Sequence, residues 1–129
     1  MQFYNGNDRY DIGTSAASNW EILDDAKDDD LWVHLSDYPS CYVICKWDNT
    51  MIFETKAKQK KYIQKRVKDA GHICWVRSQN KISNIGNNTE IETEIDVIYI
   101  KCKYVKKGEN IGQAELTKEP KVLTIQRKK

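Results

Sequence analysis

The sequence predicts an α+β domain: a mostly antiparallel sheet, a short N-terminal helix and one long central helix. Three stretches carry that expectation. In the first, Leu31, Val33 and Leu35 alternate with Trp32, His34 and Ser36, the period-two pattern of a strand. Asp37 to Ser40 then forms a turn, since Asp bonds its own backbone and Pro39 fixes φ. Tyr42 to Cys45 resumes as an unbroken apolar strand of the kind buried on both faces. In the second, Ile63, Val67, Ala70 and Cys74 are spaced four, three and four, one face of a helix. Lys58, Lys61, Lys65, Lys68 and His72 fall on the opposite face at about 100° per residue. In the third, Ile95, Val97 and Tyr99 alternate with Asp96, Ile98 and Ile100, a further strand.

The remaining elements follow in chain order. Phe3-Tyr4 and Arg9 to Ile12 read as a hairpin around Asn5-Gly6-Asn7, residue types that suit a tight turn. Gly13 to Lys27 reads as a turn and a short helix. Ser15 or Ser18 can cap it, Glu21 follows Ser18 by three as in a capping box, and Trp20, Leu23 and Ala26 form its apolar stripe. Asp24, Asp25, Asp28, Asp29 and Asp30 read as a solvated exit from that helix, because their spacing is not that of a calcium loop. Asp48-Asn49 suggests a turn, and Met51 to Glu54 a brief strand or an extended lead into the central helix. The end of that helix is contested. His72 to Val76 has strand propensity, and Gly71 weakens a helix by about 1 kcal/mol. Asn80 to Thr93 reads as a polar loop.

The chain has 129 residues, suited to one domain over 1–129 with one core. No run approaches the roughly 20 apolar residues needed to span a bilayer. No charged and then apolar N-terminal pattern marks a signal peptide, so the expected compartment is cytoplasmic. Cys41, Cys45, Cys74 and Cys102 show no Cys-x-x-Cys pattern and are expected as reduced, buried thiols, with no metal and no cofactor. The net charge of +2 conceals an asymmetry. Residues 1–55 hold three Lys and Arg against eleven acids, a net −8, and residues 56–129 hold eighteen against eight, a net +10. Such a chain either exposes a basic side suited to nucleic acid or pairs its two halves internally.

Enzymatic chemistry is not expected. His34, Ser36 and Asp37 are close in sequence, but no strand–helix elbow or glycine-rich frame surrounds them. Nucleic-acid binding has better material. Lysines supply phosphate contacts, and Trp32, Tyr38, Tyr42 and Trp75 are candidates for stacking on unpaired bases. Aromatics in a small domain are mostly core, so Trp20 and Trp32 are expected as packing residues. The other class of function is a protein-interaction adaptor.

The run Asp29-Asp30-Leu31-Trp32-Val33-His34-Leu35-Ser36-Asp37-Tyr38-Pro39-Ser40 resembles the signature of the NFACT RNA-binding domain, through Asp30, Trp32, His34, Pro39 and Ser40. The resemblance extends upstream through Gly13, Asn19, Glu21 and Leu23, with Thr14 where the family has Arg or Lys. Downstream, Val97, Tyr99, Val105, Lys106, Lys107, Gly112, Gln113, Val122 and Ile125 match the family's Val-x-Tyr strand, basic turn, Gly-Gln step and final strand. The short stand-alone eukaryotic members, which carry a coiled-coil tail, come closest. The resemblance implies that the contested segment belongs to a long helix. It also implies an RNA-binding module that engages tRNA or rRNA on the large ribosomal subunit, in ribosome-associated quality control. DNA and a protein partner are further candidates. The domains with which large members direct tailing of the nascent chain are not in this sequence, so the chain is expected to bind, compete or recruit. The residues expected to contact nucleic acid are Lys58, Lys61, Lys65, Lys68, Lys106, Lys107 and Arg127.

Overall fold

A computed structural model of the chain describes residues 1–36, 40–47, 51–85 and 94–126, with side chains in the central helix described as far as Ser78. Pro39 and Arg127 lie outside the described residues. The first hairpin joins β1 (Gln2–Asn5) to β2 (Asp8–Ile12), and Gly6 takes the positive φ of +64° that its turn requires. Helix α1 (Ala16–Asp24) is capped by Ser15, whose Oγ accepts from the Ser18 N–H at 3.1 Å. Ser18 therefore sits inside the helix, and its own Oγ accepts from the Thr14 N–H at 3.2 Å.

Strands β3 (Leu31–Leu35), β4 (Val43–Cys45), β5 (Glu94–Lys101) and β8 (Lys121–Gln126) complete a six-stranded antiparallel sheet in the order β1-β2-β4-β3-β5-β8. A separate two-stranded ribbon pairs β6 (Val105–Lys107) with β7 (Ala114–Leu116). Lys106 and Lys107 thus lie on a strand, where the sequence suggested a turn. The backbone pairs them with Glu115 and Ala114. Met51 to Phe53 is not a strand and leads directly into α2.

Alternation along the strands divides the core in two. Tyr10, Ile12, Leu31, Val33, Leu35, Val43, Cys45, Ile95, Val97 and Ile125 belong to one cluster, which helix α2 (Lys56–Ile85) covers with Val67, Ala70, Cys74 and Trp75. Trp32, Tyr42, Ile44 and Ile100 belong to the other, covered by Ile22, Leu23 and Ala26 of and beside α1, and by the ribbon through Val105, Ala114 and Leu116. Strand β4, in the sheet interior, is buried on both faces, as its unbroken apolar run predicts.

Helix α2 runs through His72 to Val76 and on to Ile85, so the strand propensity of that segment is overridden, as is the expected loop from Asn80 to Ile85, and the rest of that loop, 86–93, lies outside the described residues. The reason is packing. A Cβ at Gly71 would stand 3.0 Å from Val97 Cγ1 and Ile125 Cδ1, so this glycine lets the helix press onto β5 and β8. Tertiary contact outweighs the roughly 1 kcal/mol propensity cost.

Arg66 fixes how α2 sits on the sheet. Only 1% exposed, it donates from Nε to the Tyr10 hydroxyl at 3.0 Å, and from its terminal nitrogens to the Arg9 carbonyl at 2.8 Å and the Lys46 carbonyl at 3.0 Å. The guanidinium also lies 4.6 Å from the Tyr10 ring centre. Tyr10 passes the hydrogen bond on to Asp69 at 3.2 Å, and Tyr62 links Arg66 to Asp8. Arg66→Leu would remove the donors to two hydroxyls and two carbonyls and is expected to cost about 3–5 kcal/mol. Arg66→Lys should recover only part of this, because an ammonium lacks the planar fork. Urea midpoints at constant slope measure both, and an unshifted midpoint for Arg66→Leu would disprove the role.

Candidate nucleic-acid interface

The lysines singled out in α2 stand on its outer surface. Lys58, Lys61, Lys65 and Lys68 are all exposed, opposite the buried row of Val67, Ala70 and Cys74, and Ile63 packs against the edge of that row. His72 departs from the stripe: it is 8% exposed and stacks on Trp75 with ring centres 6.3 Å apart. Lys56 and Lys60 add two further exposed lysines. The ridge is partly neutralised. Lys58 pairs with Glu54 at 2.6 Å, and Lys65 reaches Asp8 at 3.4 Å. Among the described residues Lys61 and Lys68 have no ion pair.

Lys106 and Lys107 do not join this ridge. The ribbon that carries them packs on the α1 side of the sheet, and α2 covers the other side. Lys107 pairs with Asp24 at 2.8 Å and lies 5.3 Å from the centre of the Trp20 ring. The charge halves of the sequence therefore meet internally at several points. Asp8–Lys65, Asp24–Lys107 and Asp29–Lys101 all join an early acid to a late base.

The residues of the sequence signature hold the scaffold. Asp30 is 1% exposed, which corrects its placement in a solvated acidic run. Its carboxylate accepts from the backbone N–H of Lys27 and of Trp47, both at 2.8 Å, and pairs with Lys46 Nζ at 2.7 Å. Its carbonyl accepts from the Cys102 N–H at 2.8 Å. One residue thus ties the start of β3 to the end of β4 through its side chain and to the end of β5 through its carbonyl. Charge-assisted bonds to three donors offset the desolvation of the carboxylate.

Trp32 and His34 share a face two residues apart, and their rings stack at 5.4 Å and 6°. Tyr42 meets both edge-on, at 5.4 Å and 6.0 Å. His34 Nδ1 lies 2.6 Å from the Leu35 carbonyl, which fixes the neutral ring with its proton on that nitrogen. Ser40 Oγ accepts from the Leu35 N–H at 3.0 Å. Trp32, Tyr42 and Trp75 are each under 5% exposed, so none of them offers a face for a base. Tyr38 lies outside the described residues.

Gly112 and Gln113 shape the tip of the ribbon and dock it on α1. Gly112 has φ +86°, and a Cβ there would come 2.8 Å from Ala16 Cα. Its carbonyl accepts from the Tyr42 hydroxyl. Gln113 accepts the Trp20 indole N–H at 3.0 Å on its carbonyl, and its side chain holds Asn110. Gly13 is equally constrained, since a Cβ would overlap Asn19 Oδ1 at 1.8 Å, and that oxygen accepts from the Tyr42 N–H at 3.3 Å. Trp20 is half-buried in this junction, a packing role as its stripe implies.

Cys41, Cys45, Cys74 and Cys102 form no disulfide, and burial pushes the thiols of Cys45 and Cys102 up to about 12. Among the described residues no three acidic, His or Cys side chains converge as metal ligands. The sequence reading missed Arg66. Its spacing was the available signal: three after Ile63 and four before Ala70, it falls on the apolar face.

The fold is shared with a solved structure. That structure is the C-terminal part of the fibronectin/fibrinogen-binding protein from Streptococcus suis, at a TM-score of 0.64 and 17% identity. The match covers 95% of this chain and 42% of that one, so this chain spans less than half of the structure it matches. At that identity the likeness concerns the fold alone. No protein-family model and no curated protein matches the chain.

Burial lowers the pKa of His34 below its ordinary 6.5, so the unfolded chain takes up this proton more readily than the folded one. The stability that His34 contributes is complete above about pH 6.5 and is lost as pH falls toward the folded value. Urea midpoints at pH 7.5 and 5.5 should show this loss, and His34→Gln should shrink it. Equal losses in both proteins would remove His34 from the account.

Proposed function

We propose that the chain is a non-catalytic RNA-binding module of the NFACT RNA-binding kind, engaging tRNA or large-subunit rRNA in the cytoplasm. The observation that carries this reading is the exposed lysine ridge of α2, in which Lys61 and Lys68 are unpaired among the described residues. A straight ridge of cations suits a phosphate backbone, and it reads charge rather than sequence. With the aromatics inside, base stacking adds little, so affinity rests on the lysines, and DNA is a competitor for the same surface. Lys106 fits this reading as a second contact on the other side of the sheet rather than as part of the ridge. The packed signature residues and the sheet order they maintain suit a family scaffold. Among the described residues no helix is long and apolar enough to cross a membrane.

One observation favours the adaptor reading. Phe3 and Val76 are 47% and 67% exposed, and with Met1, Ile12 and Ile73 they line a groove of about 400 Å³ beside the edge strand β1. An apolar groove along an open strand suits an extended peptide. The matched region of the Streptococcus suis protein comes from a molecule named for binding proteins.

Salt dependence separates the two. Each phosphate neutralised should steepen log affinity against log salt by about 0.7 for single strands. Replacing Lys58, Lys61, Lys65 and Lys68 together by Gln should flatten that slope and weaken tRNA and rRNA fragments about equally. Wild-type affinity in this variant at low salt would hand the lead to the adaptor.

A further inference from the structure

A second feature lies apart from the ridge. The turn before α1, Ser40 and Cys41 ahead of β4, and the later part of α2 border a polar cleft of about 150 Å³. Thr14, Ser15, Asn19, Ser40, Arg77 and Ser78 line it, and among the described residues no carboxylate does. Ser78 is 2% exposed, and its hydroxyl has no hydrogen bond among the described residues. On a residue so little exposed, a hydroxyl that the protein leaves unpaired is a donor open to a ligand in the cleft. Asn19 uses its oxygen on the Tyr42 N–H and leaves its amide N–H groups unengaged among the described residues. Arg77 supplies a guanidinium with no ion pair among the described residues. Ser15, the cap of α1, puts the positive end of that helix at the wall.

We propose that this cleft binds a phosphoryl group, with Arg77, Ser78 and Asn19 donating to its oxygens and the start of α1 favouring its charge. Donors from two helices converge, the only charged side chain lining the cleft among the described residues is a cation, and the volume suits one tetrahedral anion. The same chemistry is offered by the backbone of a polynucleotide, by a terminal phosphate or by free phosphate. The polynucleotide source rests on the RNA-binding reading above, and the free anion does not.

Amide spectra of the full 15N-labelled chain test the site. Inorganic phosphate is titrated at constant ionic strength against chloride, and a short single-stranded RNA with and without a 5′-phosphate is titrated in parallel. Saturable shifts centred on Thr14, Ser15, Asn19, Ser40, Arg77 and Ser78 are expected with phosphate. Arg77→Gln should weaken them about tenfold and Ser78→Ala about fivefold. Arg77 is exposed, so its replacement should leave the rest of the spectrum in place, which keeps the test valid if Ser78→Ala unfolds. The same shifts with RNA would support the site and identify a polynucleotide as source, and a need for the 5′-phosphate would narrow that source to a strand end. Shifts with phosphate and none with RNA would support the site while removing RNA as its source. RNA shifts confined to the α2 lysines, with no saturable phosphate effect, would overturn the cleft and leave the RNA-binding reading standing. Equal phosphate affinity in Arg77→Gln would overturn it as well.

Discussion

The structure depends on a buried arginine. Arg66 lies between α2 and the β2–β4 end of the sheet, and its hydrogen bonds reach two main-chain carbonyls and two tyrosine hydroxyls. A guanidinium in such a place is tolerable only when its donors are engaged, since an unpaired buried charge is among the costliest defects a fold can carry. That requirement sets the rotation of α2. Turning the helix by one residue, about 100°, would expose Arg66 and drive a lysine toward the core, where no acceptors are arranged. Lys61, Lys65 and Lys68 face solvent partly because Arg66 must face inward. The hairpin is held by the same group, since Tyr10 and Asp69 carry the network to Asn5, and Tyr62 carries it to Asp8.

The sheet then separates the basic residues that proximity in charge alone would group. Lysines of α2 lie over one face, and Lys106 and Lys107 over the other. The signature residues lie between them as struts. Asp30 joins three chain segments, the Trp32–His34–Tyr42 stack fills the second core, and Gly112-Gln113 seats the ribbon on α1. A motif of this kind reports which scaffold is built, and the exposed side chains on that scaffold decide what it touches.

Period-two alternation made the strands legible, and opposed stripes made α2 legible, because both patterns record which side chains meet the core. The ribbon was less so: Val105–Lys107 and Ala114–Leu116 are three residues each, too short for any periodicity to show. The end of α2 was decided by contacts with Val97 and Ile125, distant in sequence from Gly71. Asp30 and His72 were misplaced for related reasons. An acid at the end of an acidic run reads as solvated until three donors converge on it, and a histidine on a lysine stripe reads as exposed until Trp75 stacks on it. The cleft near α1 was invisible, because Thr14, Ser40 and Ser78 come from three elements with no shared local pattern.

For the RNA binding proposed above, the ion pairs on the ridge rank its lysines without cancelling its positive charge. Lys58 and Glu54 are 61% and 81% exposed, so their pair is worth at most a few tenths of a kcal/mol and is screened by salt. A phosphate, itself a charged acceptor, replaces Glu54 there at little cost. Lys65 differs, because its partner Asp8 is 14% exposed, is held by Tyr62, and lies 3.8 Å from Arg66. Drawing Lys65 away takes one cation from a carboxylate that the protein keeps half inside, and the network around Arg66 resists that loss. Lys61 and Lys68, with no such partner among the described residues, give up nothing on meeting a phosphate. The order of contribution therefore runs from Lys61 and Lys68 through Lys58 to Lys65, and the same buried arginine that orients the ridge also restrains its weakest member.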